Sequence, residues 1–148
     1  MTVGSGPSAW RAGLRVAAAL EAACPPGLVV VPAPFAVRAS RADGVWPDVL
    51  VVRDEKSTEV LSPVAPLLVV DVVPPGCAVD DANARKSAYE RMGVECYWRV
   101  DPVTSLVTVC ELDDDGRYGP VTEVAGTEVF DAVRPFPVRI VAGGSARR

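Results

Sequence analysis

The sequence predicts a single α/β domain in which two helices pack on a mixed β-sheet. Residues 49–52 and 67–70 form short runs of Val and Leu with no alternation of apolar and polar residues. Such runs are typical of strands buried on both faces, which need a covering layer on each side. Segments 8–24 and 81–92 have helical spacing and supply those layers. The predicted order is α-β-β-β-α-β, followed by a β-hairpin and one more strand.

The bulk composition is that of one globular domain. The chain has 148 residues, 49% of them hydrophobic and 23% charged, which is ordinary for a folded protein. Its length suits one sizeable core rather than two, so residues 1–148 are predicted to form one domain. Residues 1–7 and 143–148 are rich in small residues, and we expect flexible ends there. No apolar stretch reaches the ~18 residues that a membrane span requires, so no membrane partner is expected.

The first helix is predicted to begin at Ser8, a suitable N-cap, and to end before Pro25-Pro26-Gly27. We expect it to pack on the sheet through an apolar stripe of Trp10, Leu14, Ala17, Leu20 and Cys24. Residues 28–31 and 35–38 follow, either as two strands or as one strand broken at its prolines. Prolines in a strand indicate a position at the edge of a sheet.

The middle of the chain contains the two apolar runs. Residues 45–53 are predicted to form one strand and 66–73 a second, central one, with a polar loop between them. Asp80 or Asp81 can cap the second helix, and Gly93 is a suitable residue to end it. A strand at 94–101 completes this part of the fold.

The remaining chain is predicted to be all β. Strands at 106–112 and 117–124 flank Asp113-Asp114-Asp115-Gly116, whose composition indicates a hairpin turn. The three acids lack the alternating ligand spacing of a calcium loop. Residues 138–141 form the last predicted strand.

Composition also excludes several kinds of chemistry. The sequence contains no His, and its four cysteines are far apart without a C-x-x-C pair. These facts exclude the usual Cys/His zinc sites and every mechanism that needs a His base. The N-terminus lacks the layout of a signal peptide, so we expect a cytoplasmic protein with reduced thiols. The formal charge of −4 argues against a general polyanion-binding surface but allows a local basic groove.

Two acids are the candidate metal ligands. Asp71 lies inside the apolar run of the central strand, where a carboxylate is costly without a proton, a partner or a metal. Asp48 opens the preceding strand, and the two carboxylates converge if those strands are neighbours. Oxygen ligands without His or Cys suit Mg²⁺. A turn or a cap is the alternative interpretation of Pro47-Asp48.

Two cations follow on the second helix. Arg85 and Lys86 come after the turn that follows Asp71, where either could meet a phosphate oxygen and stabilise developing negative charge. A solvated helix face is the ordinary alternative for such residues. Asp80 and Asp81 are best explained as an N-capping pair.

The composite pattern resembles a known family. Its members carry a Pro-Asp before an apolar strand, then an apolar strand ending in an acid. A D-x-x-x-K-x-x-x-Y-x-x-x-G-[VI]-x-x-Y-W-x-[VI]-[DE]-P run follows. This sequence matches with Pro47-Asp48, the strand to Asp71, and then Asp81, Arg85, Tyr89, Gly93-Val94, Tyr97-Trp98, Val100 and Asp101-Pro102. It thus resembles the Uma-type restriction endonuclease family over about residues 14–141. That family is similar to the PD-(D/E)xK nucleases, whose core is also α-β-β-β-α-β.

The resemblance implies a Mg²⁺- or Mn²⁺-dependent DNA endonuclease with Asp48 and Asp71 as metal ligands. It places Arg85 and Lys86 at the scissile phosphate. A homodimer is expected if both strands are cut, because two-fold symmetry matches a duplex. The sequence departs from the family pattern at Asp71 (usually Glu), at Pro74 (usually Ser) and at Arg85 (usually Lys). Val73 leaves the strand without a lysine, and the family's His has no counterpart.

These departures leave two functions open. One is an active nuclease in which Lys86 or water carries the proton transfer, because an Arg cannot act as a base. The other is a catalytically decayed nuclease fold that serves as a binding or interaction module. Metal binding at Asp48 and Asp71 distinguishes the two.

Overall fold

The computed structural model of the chain describes residues 7–32, 47–54, 65–73, 79–120, 122–125 and 128–141. Two helices and eight strands occur there, and their bounds are as follows. They are α1 (Pro7–Ala23), β1 (Leu28–Pro32), β2 (Val49–Arg53), β3 (Leu68–Val72), α2 (Val79–Met92), β4 (Cys96–Val100), β5 (Val107–Glu111), β6 (Thr122–Val124), β7 (Val129–Ala132) and β8 (Val138–Val141). The predicted α-β-β-β-α-β core with its hairpin and last strand is confirmed. The predicted strand at 35–38 lies outside the described residues.

Six strands form one mixed sheet in the order β1-β2-β3-β4-β5-β6. Strands β3 and β4 are parallel and are joined through α2, whereas the other neighbouring pairs are antiparallel. All five residues of β3 are buried, as expected for a central strand. Strand β1, which ends at Pro32, lies at an edge of the described sheet, where a proline costs no ladder hydrogen bond.

The last two strands form a separate two-stranded sheet that sequence reasoning predicted only in part. Strand β8 was expected, but β7 was not, and the two pair antiparallel from Val129↔Val141 to Ala132↔Val138. The β7 sequence is short and carries Asp131 between Phe130 and Ala132. A four-residue segment with one acid in it is too short to predict a strand by itself.

Helix α1 covers one face of the large sheet, with the β7–β8 hairpin beside it. Its buried stripe is Ala12, Val16 and Leu20, spaced by four residues so that they share one helix face. The prediction that Leu14 packs on the sheet is wrong, because its side chain is 66% exposed. Leu14 is two positions from Val16 and therefore lies on roughly the opposite side of the helix.

The turns follow their sequence signals. Gly93 ends α2 with φ of 81°, a left-handed conformation that favours glycine. The hairpin turn between β5 and β6 is closed by Asp113, whose carboxylate accepts hydrogen bonds from the backbone N–H groups of Asp115 and Arg117. Helix α2 begins at Val79, so Asp80 and Asp81 lie in its first turn rather than before it. Their side chains are outside the described residues.

Candidate active site

The second face of the sheet, beneath α2, contains a buried acid. Residues alternate between faces along a strand, so Val70 and Val72 point toward α1 while Asp71 points toward α2. Asp71 is 0% exposed and is the one buried charged side chain among the described residues. Burial of an unpaired carboxylate would cost several kcal/mol, so its partners decide what the site can do.

Three donors surround the Asp71 carboxylate. Arg85 Nη1 and the Tyr97 hydroxyl both donate to Oδ2, each at 3.1 Å. The Tyr89 hydroxyl lies 3.5 Å from Oδ1. Arg85 and Tyr89 are four residues apart on α2 and therefore share a helix face, while Tyr97 comes from β4 below. Helix and sheet thus close over the acid together.

Asp48 is fixed against the backbone on both sides of Asp71. Its N–H donates to the Val70 carbonyl at 2.9 Å, and its Oδ2 accepts the Val72 N–H at 2.7 Å. Pro47 precedes it and restricts the chain just before β2 begins at Val49. Strands β2 and β3 are neighbours, as the convergence of the two carboxylates required. The geometry brings the acids to one end of the sheet.

The electrostatics show an acid pair that one Arg only partly compensates. The pKa of Asp71 is raised to about 6, chiefly by burial and also by the nearby charge of Asp48, against the lowering effect of Arg85. Burial also raises the pKa of Asp48, opposed by the Val72 N–H and by Arg85. Burial acts to lower the pKa of Arg85, but the charge and hydrogen bond of Asp71, together with Tyr89 and Tyr97, more than offset this and leave the pKa raised. Two carboxylates facing one guanidinium leave a net negative charge.

The tyrosines contribute neutral donors. Burial, together with the charge of Asp71, raises the pKa values of Tyr89 and Tyr97 well above their ordinary range. Both phenols therefore keep their protons and can donate to the carboxylate. Sequence reasoning used these two residues only as parts of a family pattern, not as members of the site. The available signal was that a buried Tyr hydroxyl needs an acceptor and a buried Asp needs donors.

The four predicted site residues are not all in one place. Asp48, Asp71 and Arg85 come together, whereas Lys86 makes no hydrogen bond or ion pair with another described residue. Adjacent helix positions differ by about 100°, so only one of the two cations can face Asp71. Lys86 instead lies near Cys110 of β5, where its charge acts to lower the pKa of the buried thiol.

The donor set can be compared with what a divalent metal needs. No group of three or more Cys, Asp or Glu side chains in the described residues is arranged to hold a metal ion. Mg²⁺ is commonly held by one or two carboxylates and keeps several waters, so Asp48 and Asp71 suffice in number. Their uncompensated negative charge also suits a cation. The two carboxylates are therefore of a kind and number that Mg²⁺ or Mn²⁺ could use.

Comparison with known proteins supports the fold and gives the family. The family model Uma2, described as "putative restriction endonuclease", matches residues 1–142. The chain belongs to the Uma2 family. Among curated proteins, none matches the sequence. The family resemblance that the sequence motifs carry is therefore confirmed over nearly the whole chain.

A solved structure shares the architecture. It is the crystal structure of a protein from Anabaena variabilis ATCC 29413 described as a "putative nuclease belonging to DUF820". The TM-score is 0.65 at 12% sequence identity, over 97% of this chain and 77% of that one. At such low identity the likeness shows the fold alone, which this Uma2 chain shares with that protein. Neither helix in the described residues is long and apolar enough to cross a membrane.

Proposed function

We propose that this Uma2 chain is a Mg²⁺-dependent endonuclease that hydrolyses phosphodiester bonds in DNA. The observation that carries the proposal is the convergence of Asp48 and Asp71 on neighbouring strands, with Arg85 of α2 in contact with Asp71. Family membership and the nuclease fold support the same reaction class. Mn²⁺ could replace Mg²⁺ because it also takes carboxylate and water ligands.

Asp48 and Asp71 would hold the metal through their carboxylate oxygens. The bound ion would supply Lewis-acid stabilisation of the phosphate and a more acidic water. Asp48 is positioned for this role by its two bonds to the β3 backbone. Asp71 is positioned by Tyr97 and Tyr89.

Arg85 would stabilise negative charge at the reacting phosphate. It already faces the acids, and its guanidinium presents several donors in one plane, so it can remain near Asp71 while contacting a phosphate oxygen. It cannot accept a proton, and Lys86 makes no described contact with the acids. Solvent water is therefore the proton acceptor in this scheme.

The test is cleavage of plasmid DNA with Mg²⁺ or Mn²⁺. Asp71→Asn and Asp48→Asn each remove a ligand charge at nearly constant volume, and we expect cleavage to fall by about 100-fold or more. Asp131→Asn is the matched control, because Asp131 is exposed on the β7–β8 hairpin. Equal cleavage by wild type and Asp71→Asn would reject this assignment of the site.

A second function, a binding module derived from a nuclease, is favoured by one observation. Both Asp71 oxygens are already in contact with protein donors, and the carboxylate has no exposed surface. Arg85 would then be the permanent counter-ion in place of a metal. Titration calorimetry with Mn²⁺ separates the two functions. Heat that disappears in Asp48→Asn and Asp71→Asn supports the enzyme, and absence of specific heat in the wild type supports the module.

Two further features belong to the proposal. A homodimer would allow both strands of a duplex to be cut, since a two-fold partner matches the symmetry of DNA. Sedimentation of the chain with and without a short duplex tests this directly. We also propose a cytoplasmic location with reduced thiols, as the sequence predicts, and fractionation of cells that express the chain would check it.

A further inference from the structure

A row of polar side chains crosses the sheet beside Asp71. Strand register places Arg99 of β4 opposite Asp71, and Thr108 of β5 opposite Arg99. Glu123 of β6 continues the row opposite Thr108. Residues opposite one another on neighbouring strands project from the same face, which here is the α2 face. The row therefore begins at the candidate active site and runs away from β2.

Exposure increases along this row. Asp71 is fully buried, Arg99 and Thr108 are half-buried, and Glu123 is exposed. The helix thus covers the acid but leaves the floor of the sheet increasingly open toward β5 and β6. A ligand that reaches Asp71 across this floor would pass Arg99 and Thr108.

Arg99 is held in a defined orientation. Its guanidinium carbon lies 5.6 Å from the centre of the Tyr97 ring, and its Nε lies 3.5 Å from the Tyr97 hydroxyl. A guanidinium stacked on an aromatic ring has lost much of its rotational freedom in advance. It can therefore receive a phosphate at a smaller entropic cost than a freely moving arginine.

Lys86 approaches the same floor from the helix above. Burial raises the pKa of the Cys110 thiol, and the charges of Lys86 and Arg99 both act to lower it. Lys86 is also four residues before Glu90 on α2 and therefore shares its helix face. The Cys110 thiol is two residues from Thr108 on the same face of β5. Glu90 also acts on the thiol, but its carboxylate accepts the Tyr118 N–H at 2.7 Å. A cation from α2 and a cation from β4 thus flank one stretch of the sheet.

We propose that Arg99, Lys86 and Thr108 form a binding site for a backbone phosphate of DNA, next to the phosphate that would be cut. Arg, Lys and Thr side chains are among the groups that contact nucleic-acid phosphates. The proposal rests on the proposed nuclease function. It assigns the direction in which the bound DNA strand runs away from Asp48 and Asp71, namely across β4 toward β5. It also gives Lys86 a role away from the acids that matches its position.

The experiment measures binding rather than cleavage. Anisotropy of a fluorescent DNA duplex is followed with the full chain in EDTA, at several salt concentrations. Arg99→Gln and Lys86→Gln should each weaken binding by about tenfold. Each should also reduce the slope of log K against log salt by about one. Arg53→Gln is the control. Arg53 is exposed and lies at the end of β2 that is farther from Asp48, so this substitution should leave the slope unchanged.

Conservative variants separate charge from folding. Arg99→Lys keeps the charge but loses the planar stack, so it should restore the salt slope while recovering only part of the affinity. Lys86 is on helix α2 and is not fully buried, so Lys86→Gln should fold. It therefore tests the same site if Arg99→Gln does not fold. Slopes for Arg99→Gln and Lys86→Gln equal to that of Arg53→Gln would overturn the proposal.

The outcome is distinguishable from failure of the nuclease function. If Arg99→Gln and Lys86→Gln reduce the salt slope but the wild type shows no metal-dependent cleavage, the phosphate site is supported and the nuclease function is rejected. Cleavage that depends on Asp71, with unchanged slopes in the Arg99 and Lys86 variants, would keep the nuclease and reject the phosphate site. Absence of salt-dependent DNA binding by the wild type would overturn the phosphate site.

Discussion

The two faces of the six-stranded sheet differ in what their buried groups require. The α1 face is apolar, and the buried Trp98 Nε1 on that face has no hydrogen-bond partner among the described residues. On the α2 face the three tyrosine hydroxyls all have partners, with Tyr89 and Tyr97 near Asp71 and Tyr118 donating to the Val94 carbonyl at 2.9 Å. One face is organised by packing and the other by hydrogen bonds. Successive residues of β3 point alternately to the two faces, so each residue belongs to the α1 face or to the α2 face according to its position in the strand.

The largest expected effect comes from moving a charge to the wrong face. Val70 is 0% exposed and adjacent to Asp71 in sequence, but it points toward α1, where its neighbours are apolar. The unpartnered Trp98 Nε1–H opposite it is a neutral donor and cannot balance the charge of a carboxylate. Val70→Asp should cost more than about 4 kcal/mol and abolish folding, as an unpaired buried charge does. Circular dichroism and the soluble yield measure the result. Asp71→Asn is the control, and a folded Val70→Asp protein would contradict the distinction between the faces.

The next effect concerns the buried ion pair. Arg85→Met leaves Asp71 without its cation, and we expect a loss of about 3 kcal/mol in the free energy of unfolding. Asp71→Leu in the same chain should recover part of that loss, because it removes the unpaired charge. Urea denaturation of the two single variants and the double variant gives the coupling energy, expected to exceed about 1.5 kcal/mol.

The exposed pair Arg139–Asp131 on the β7–β8 hairpin is the matched control for that cycle. Its atoms are 2.9 Å apart, but both side chains are more than half exposed, at 71% and 64%. Its coupling energy should be much smaller than that of the buried Arg85–Asp71 pair, because solvent screens an exposed ion pair. If the Arg85–Asp71 pair were no more strongly coupled than this one, burial would not be what distinguishes the α2 face.

A smaller effect sharpens the comparison through pH. Because the pKa of Asp71 is raised to about 6, the folded chain holds a proton that the unfolded chain releases above pH ~4. Stability due to this group therefore falls as pH rises from about 4 to about 6, by up to about 3 kcal/mol, and is constant above. Asp71→Asn should remove this component, as seen in unfolding free energies measured across that range. An identical pH dependence in wild type and Asp71→Asn would show that Asp71 is not buried as described.

Much of the fold could be predicted because the sequence encodes it locally. The Val- and Leu-rich run at 67–70 identified the central strand, and Asp71 within it identified the chemistry. Asp48 could be paired with Asp71 because two buried strands close in sequence tend to be neighbours. The structure places β2 beside β3 and the two acids together.

The remaining features depend on information that periodicity does not carry. Whether Arg85 or Lys86 faces the acid is decided by the rotation of α2 about its own axis, which depends on contacts with β4 and β5. Arg99 enters the row beside Asp71 through strand register, and register needs knowledge of which strands pair. Tyr89 and Tyr97 enter the sequence prediction only through the family pattern, although their hydroxyls complete the site.

The complete enclosure of Asp71 also has consequences for rates. A hydrated ion cannot touch a carboxylate with no exposed surface, so the side chains around it must first move aside. Arg85, at 18% exposure, is the partner nearest to solvent and the one whose displacement would open the acid. Ion uptake by the proposed enzyme would then be limited by this opening rather than by diffusion. Its observed rate would level off at high ion concentration instead of rising in proportion.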